Sequence, residues 1–446
     1  MVRQHFEVII LGAGVSGLTA AHALLPSTQR LAIIEDYPGA GGNHLSKDMG
    51  GCSFDVGAIF FWSDSPLLKM FPGIEAHWSP VNYSIARVTP QGEVRAYPFD
   101  ARGELGARPW RYRFAVFADV LAHKLFHHHK ASAADFAKAY MGAKLFRDSG
   151  LSDYMRRFYG FSAEEISYPF ALRRMKWIAR NAGVAPRALR LVRSAGQRLG
   201  LVARPATLRC FARSPEGFQG MYRHALGCLQ ASGAEAFLNA GTASVRKTPE
   251  GFEVHTAAGT FTAPRLINTL PLVRITGLLG LDAAAPPEST SLVTACFRFR
   301  GRRNFAALIL HNFAADGLWK RLTMHSDYHG QVDGWAYCSV EVSVRGPLPS
   351  VNTIVADFRT TTARAGLFDG ELECLGSFVT DFAYPVYDQS ADARKAAVLR
   401  SLAALGIESL GRQGGFDYIP STTEAVALAQ AQLNRAPMVV RRTTNS

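Results

Sequence analysis

The residues best suited to chemistry in this chain come near its start. A continuous apolar run from Phe6 to Leu11 ends at Gly12-Ala13-Gly14-Val15-Ser16-Gly17, and a helical stretch then continues to Leu25, where Pro26 stops it. A second apolar run, Leu31 to Ile34, ends in the acidic pair Glu35-Asp36. This order predicts strand, turn, helix and strand, and each small residue has a steric reason to be there. Gly12 permits the tight turn, Gly14 lets a pyrophosphate approach the backbone, and Gly17 allows the helix to pack closely on the strand. Val15 and Ser16 open the helix, whose N-terminus stabilises phosphate charge. Glu35 can accept hydrogen bonds from a ribose, which disfavours a 2′-phosphate and hence NADP at this site.

The next residues narrow the dinucleotide. Gly39-Ala40-Gly41-Gly42-Asn43-His44 resembles the paired-glycine turn of the flavin amine oxidase superfamily, which includes protoporphyrinogen oxidase, phytoene desaturases and UDP-galactopyranose mutase. Asn43 after the pair is most similar to the mutase branch. Ser53-Phe54-Asp55-Val56-Gly57 resembles that superfamily's following turn, which passes near the flavin. Further on, Ser214-Pro215-Glu216-Gly217 precedes a helix-like run to Leu229, and a hairpin-like stretch from Thr242 to Pro271 resembles the middle cofactor segment, with Val245 where an adenine contact would be. Near the end, Gly411-Arg412, Tyr418 and a helix-like run from about Thr423 resemble the closing motif, where a helix N-terminus faces the flavin. The resemblance implies FAD, and a non-covalent site, because no cysteine occupies an attachment motif.

The resemblance also bears on substrate. Trp319-Lys320-Arg321 is similar to a mutase segment whose arginine neutralises a diphosphate; Tyr384, Tyr418 and Arg412 match groups beside it, and Arg209 is the counterpart of a mobile-loop arginine. Arginines and tyrosine hydroxyls suit a diphosphate through charge-assisted, bidentate bonds. Against this, Gly57-Ala58-Ile59-Phe60-Phe61-Trp62 carries Ile59 and Trp62 where the mutase has histidines. An apolar wall suits a greasy substrate, as in the oxidase branches. Three expectations follow, in order. The first is an FAD-dependent oxidoreductase that takes a hydride from a C–N or C–C bond of a small or lipid-like substrate. The second is a mutase-like flavoenzyme that rearranges a nucleotide sugar without net redox change, and the third is a flavin-holding scaffold. No catalytic residue is assigned.

The elements that must position these residues are discontinuous in sequence. The expected fold class is α/β: an FAD-binding Rossmann-type domain from residues 1–95, 211–271 and 376–446, with a mixed α+β substrate domain from 96–210 and 272–375. Helices are expected over Arg113 to Phe126, Ser152 to Arg180 and Arg394 to Leu405, and strands over Leu292 to Phe299 and Val351 to Phe358.

Composition sets the outer limits. A chain of 446 residues with 48% hydrophobic and 19% charged residues is globular, not disordered. No apolar run reaches the roughly 18–20 residues of a membrane span, and no signal peptide is read at the N-terminus. Six scattered cysteines without a CxxC pair suit a reducing cytoplasm and predict neither zinc nor an iron–sulfur cluster. His123 and His127 have helical metal spacing, but nothing completes a ligand set. From Ser167 to Pro215 eleven Lys or Arg occur without one Asp or Glu, so this stretch supplies +11 of the net +13. A field of that sign selects a diphosphate-bearing small molecule or an anionic membrane surface, to which the aromatic and basic residues from Trp110 to Lys130 would also suit a peripheral location. Nucleic acid is not expected, since no reading motif accompanies the charge.

Overall fold

The computed structural model describes residues 3–98, 101–106, 108–126, 130–175, 177–178, 208–281 and 285–434. Most of the basic stretch, the end of the helix expected to reach Arg180, and His127 to His129 lie outside them.

A five-stranded sheet forms the base, in the order Ala234–Phe237, Leu31–Ile34, Val8–Leu11, Arg265–Asn268 and Ile407–Ser409, with every neighbouring pair parallel. Leu31–Ile34 and Val8–Leu11 are apolar throughout because both faces are covered. Val8, Ile10, Leu31 and Ile33 pack with Leu18, Phe218, Met221 and Val426, side chains of the helices Val15–Leu24, Phe218–Ala231 and Thr422–Leu433. Ile9, Leu11, Ala32 and Ile34 face the other way, in the core that holds Val254 and Phe261. Those two belong to a hairpin, Gly251–Thr256 and Gly259–Ala263, in a separate four-stranded sheet that Arg3–His5 and Ser244–Thr248 complete. The apolar runs thus become strands buried on two sides, and the glycine turn lies at their carboxyl ends.

The second large sheet has seven strands, in the order Phe368–Pro385, Ser289–Arg303, Ala336–Val344, Arg321–Met324, Ile309–Asn312, Ile85–Val88 and Val94–Ala96. All pairs are antiparallel except Ile309–Asn312 with Ile85–Val88. The boundaries drawn at residues 95 and 375 cut two of these strands, because strand pairing joins segments that composition does not connect.

Helices Trp110–Phe126, Ala133–Asp148, Leu151–Tyr159 and Tyr168–Arg174 pack on one another around the second, and the third packs on Ala336–Val344 of this sheet. Ser132 and Asp135 form a reciprocal cap at the start of the second. Gly160, at φ +77°, ends the third, so the expected continuous helix from Ser152 is broken there.

One expectation is corrected. Val351 to Phe358, rich in β-branched residues, is not a strand but the first half of a helix, Val351–Arg364. Ser350 caps it by accepting the Thr353 N–H at 3.1 Å, and Ile354, Phe358, Thr361 and Thr362 bury one helical face. Cap and spacing outweigh the weak strand preference of the individual residues.

Candidate cofactor and substrate site

A cavity of about 460 Å³ opens at the carboxyl ends of Val8–Leu11, Leu31–Ile34 and Arg265–Asn268, between the parallel sheet and the seven-stranded one. Its floor is glycine. Gly12 has φ +100° and donates its N–H to the Ile34 carbonyl at 2.8 Å, which makes the tight turn. Gly14 is bridged to Gly41, and a Cβ on Gly14 would lie 3.6 Å from the Gly42 Cα, so two glycine turns stand back to back with no side chain filling the space above. Val15 and Ser16 line the cavity as the first residues of the helix, whose first turn carries no acid. That helix end can stabilise a phosphate.

Glu35 reaches the same cavity. Its carboxylate accepts the Ala13 N–H at 2.7 Å and the Tyr37 N–H at 2.9 Å. Burial raises its pKa, and the two backbone N–H groups oppose that rise. These bonds hold the carboxylate at the strand end and leave lone pairs for ribose hydroxyls. Glycine at positions 12, 14, 41 and 42 and an acid at the second strand end are what a dinucleotide needs, so the residues present fit the group.

The other sequence candidates divide between the cavity wall and its supports. Asn43, Gly57 and Arg412 line the wall with those already named. Gly17 does not: a Cβ there would come 1.9 Å from the Gly12 carbonyl oxygen, so it serves helix–strand packing. Asp36 turns aside, accepting the Thr242 N–H at 2.8 Å and pairing with Arg274 at 3.2 Å. Val245 is buried in the core opposite Val254. Gly411, at φ +81°, packs where a Cβ would strike Ser16 Oγ. Thr423 lies within the last helix, while Ser421 and Thr422 reach the cavity; Ser421 caps that helix by accepting the Glu424 N–H at 3.2 Å.

The inner chamber collects the substrate candidates. Arg321, Tyr384 and Tyr418 line it, as do Ile59, Phe60, Trp62 and Tyr83; a Cβ on Gly57 would lie 3.5 Å from Arg321 Nη2 and 4.0 Å from Ile59 Cγ1, so the arginine borders the apolar wall. Arg209 is not part of it; it is exposed, with its guanidinium 5.6 Å from the Phe211 ring centre. Arg321 sits directly across the antiparallel register from Glu341 and donates to Glu341 Oε1 from Nη2 at 2.6 Å and from Nε at 3.1 Å. Lys320, fully buried, brings Nζ to 3.2 Å from Glu341 Oε2, off the angle of a hydrogen bond. The same ammonium lies 3.9 Å from the Tyr384 ring centre and 4.7 Å from that of Phe158.

Two cations therefore share one carboxylate. Burial pushes the Tyr384 phenol up, but the charges on Lys320 and Arg321 outweigh it and hold its pKa below the ordinary phenol value. Burial likewise opposes ionisation of Glu341, and Arg321 and Lys320 carry its pKa below the usual range. Arg412 differs from Arg321. It bonds the Ala383 carbonyl and lies 5.5 Å from the Tyr384 ring centre, its Nε is buried without a hydrogen-bond partner, and it pairs with no carboxylate among the described residues.

Glu341 and the buried position of Lys320 were not foreseen. The available signal was an acid set among valines in Val340-Glu341-Val342, a pattern that calls for a buried partner. In the sequence His44 marks only the end of the glycine turn. It is half-buried, bonded to the Tyr222 hydroxyl, and held neutral by its desolvation and by Arg412 at a pKa of about 3.

Fold and cavity together define an α/β chain with a Rossmann-like dinucleotide cradle roofed by a mixed sheet. Residues 10–71 match the NAD(P)-binding Rossmann-like domain. No curated protein matches the chain by sequence. Among solved structures, reduced UDP-galactopyranose mutase is similar at 16% identity over 97% of this chain and 96% of its own, with a TM-score of 0.74. An Exiguobacterium protein provisionally named a protoporphyrinogen oxidase is similar at 15% identity over 97% and 98%, with a TM-score of 0.68. A redesigned putrescine oxidase follows at 15% identity over 97% and 99%, with a TM-score of 0.61. At these identities the likeness is one of fold alone.

Proposed function

We propose that the chain is an FAD-dependent oxidoreductase acting on a C–N or C–C bond of a small, largely apolar substrate that carries an anionic group. The observation that carries this reading is the inner chamber, where an apolar and aromatic wall (Ile59, Phe60, Trp62, Tyr83) shares one cavity with Arg412, which no carboxylate pairs among the described residues. The glycine turns and Glu35 would hold the dinucleotide part of non-covalently bound FAD, and the last helix would present its N-terminus, at Ser421 and Thr422, to the ring system. FAD in this place would supply the hydride acceptor. The chain's own part is positioning: the wall excludes water from the substrate, and Arg412 with the Tyr384 and Tyr418 hydroxyls fixes its anionic end.

A second reading, a mutase-like rearrangement of a nucleotide sugar, is favoured by one specific feature. Arg321, Arg412, Tyr384 and Tyr418 converge on one side of the cavity, a donor set that suits a diphosphate. The visible spectrum of purified protein during anaerobic reduction, followed by admission of air, separates the two. A flavin band that returns within seconds with formation of peroxide supports the oxidoreductase. A reduced state that persists in air and shifts its spectrum on addition of UDP replaces that reading with the mutase. Absence of a flavin band even after FAD is supplied refutes both.

A further inference from the structure

Helix Trp110–Phe126 packs against Ala133–Asp148 through one side only. Val116 is buried, and Tyr112, Asp119, Val120 and His123 are partly covered. Its other side is as apolar as a core. Trp110, Phe114, Phe117, Leu121 and Leu125 are all exposed, the first three at 70%, 66% and 68%. At roughly 100° per residue these five fall within about 80° of the helix circumference, a stripe roughly 22 Å long. Scattered exposed apolar residues need no explanation, but a continuous stripe does.

The charge beside the stripe is of one sign. By the same helical geometry Arg111 and Arg113 flank it on either side, and Arg108 and Lys130 lie beyond its two ends. None of these four pairs with a carboxylate among the described residues. Arg113 instead donates to the carbonyls of Arg108 and Gly106, and Arg108 and Arg111 lie 5.3 and 5.7 Å from the ring centres of Tyr112 and Trp110. The helix's one acid, Asp119, is turned inward, where it accepts the Lys144 N–H at 2.7 Å.

We propose that this helix docks the protein onto an anionic lipid surface, with the stripe entering the interface and the arginines at headgroup level. The pattern is that of an interfacial helix: large apolar and aromatic side chains on one line and uncompensated cations along its borders. A second copy of the chain is the poorer occupant, because a two-fold interface through this stripe would bring two basic-bordered faces together with no outward-facing acid of the helix to pair them. No helix among the described residues is long and apolar enough to cross a membrane, so the contact is peripheral.

The test is flotation of the full FAD-supplemented chain with vesicles of phosphatidylcholine alone or with about 30 mol% phosphatidylglycerol. The protein should float with the anionic vesicles, less with the neutral ones, and less again as salt is raised. Phe114→Ser/Phe117→Ser should lower the partition by about tenfold or more while flavin content stays at the unsubstituted level, because both side chains are largely outside the fold. Failure of the unsubstituted protein to float overturns the proposal. So does a double variant that floats normally, which would assign the contact to other basic residues. A dimer that the double variant dissociates, with no flotation by either protein, overturns it in favour of self-association.

Discussion

Glu341→Gln is the perturbation that most directly tests how the inner chamber is held together. The substitution keeps shape and removes one charge, leaving Lys320 and Arg321 facing each other across a carboxamide. Glu341 is 1% exposed, Lys320 is fully buried and the Arg321 side chain is 14% exposed, so solvent screens little of the loss. Breaking a buried pair by removing one partner costs about 3–5 kcal/mol, because an uncompensated charge remains. Here one carboxylate serves two cations, which sets the expectation at the upper end. The pH dependence follows from the depressed Glu341 pKa. Its contribution is fully present above the ordinary value of 4.5 and is lost as pH falls through the lower folded value. The stability gap between the two proteins should therefore be constant from pH 8 to about 5 and close below about 4.5. Urea unfolding followed by tryptophan fluorescence would measure it, since Trp319 is buried next to Lys320, with FAD held at one concentration because a bound ligand raises apparent stability. Adding Lys320→Met should restore part of the loss. A Glu341→Gln protein within 1 kcal/mol of the parent at pH 7 would refute the reasoning, because the cations would then be solvated by some other route.

Three more outcomes are expected. Gly14→Val should abolish flavin binding with little loss of stability, since its side chain enters the empty cradle; a normal flavin content would remove the cradle from the cofactor site. Gly17→Ala should instead destabilise the fold by a few kcal/mol, because its Cβ would sit 1.9 Å from the Gly12 carbonyl oxygen; a melting temperature equal to the parent's would refute that packing. His44 and His329, both held neutral at a pKa of about 3 by burial first and then by Arg412 and Arg213 respectively, must take up protons on unfolding below pH 6.5. Stability should fall between pH 6.5 and 5 by about 1.4 kcal/mol per pH unit for each, and His44→Gln should remove one such increment from the slope; an unchanged slope would show that His44 is protonated in the fold.

What was legible in the sequence was local. The glycine turn and the acid at the end of the second strand each declare themselves within a few neighbouring residues, because the constraint is steric or a single hydrogen bond. What was not legible depends on pairing between distant strands. Nothing near Arg321 announces that Glu341 lies across the register from it. The strand Ile85–Val88 reads as the tail of the first domain, yet its hydrogen bonds go to Ile309–Asn312, more than two hundred residues on. The same limit explains Val351 to Phe358, whose β-branched residues suggest a strand until the Ser350 cap and the buried face at Ile354 and Phe358 are seen together.

The two cavity arginines show why residue type alone could not fix the chemistry. Read by sequence, Arg321 and Arg412 are equivalent cations suited to one diphosphate. In the fold, Arg321 already spends both of its hydrogen-bonded nitrogens on Glu341, while Arg412 keeps a buried Nε without a partner and no carboxylate beside it. An anion entering the chamber meets a neutralised guanidinium at one place and an uncompensated one at the other. Lys320 adds a buried positive charge beneath the Tyr384 ring, which favours a phenol that donates strongly to an oxyanion. On the proposed reading, the anionic end of a substrate would be drawn toward Arg412 and Tyr384, and its remainder would be left against Ile59, Phe60 and Trp62. That asymmetry is what favours an apolar substrate with one charged end over a ligand charged throughout.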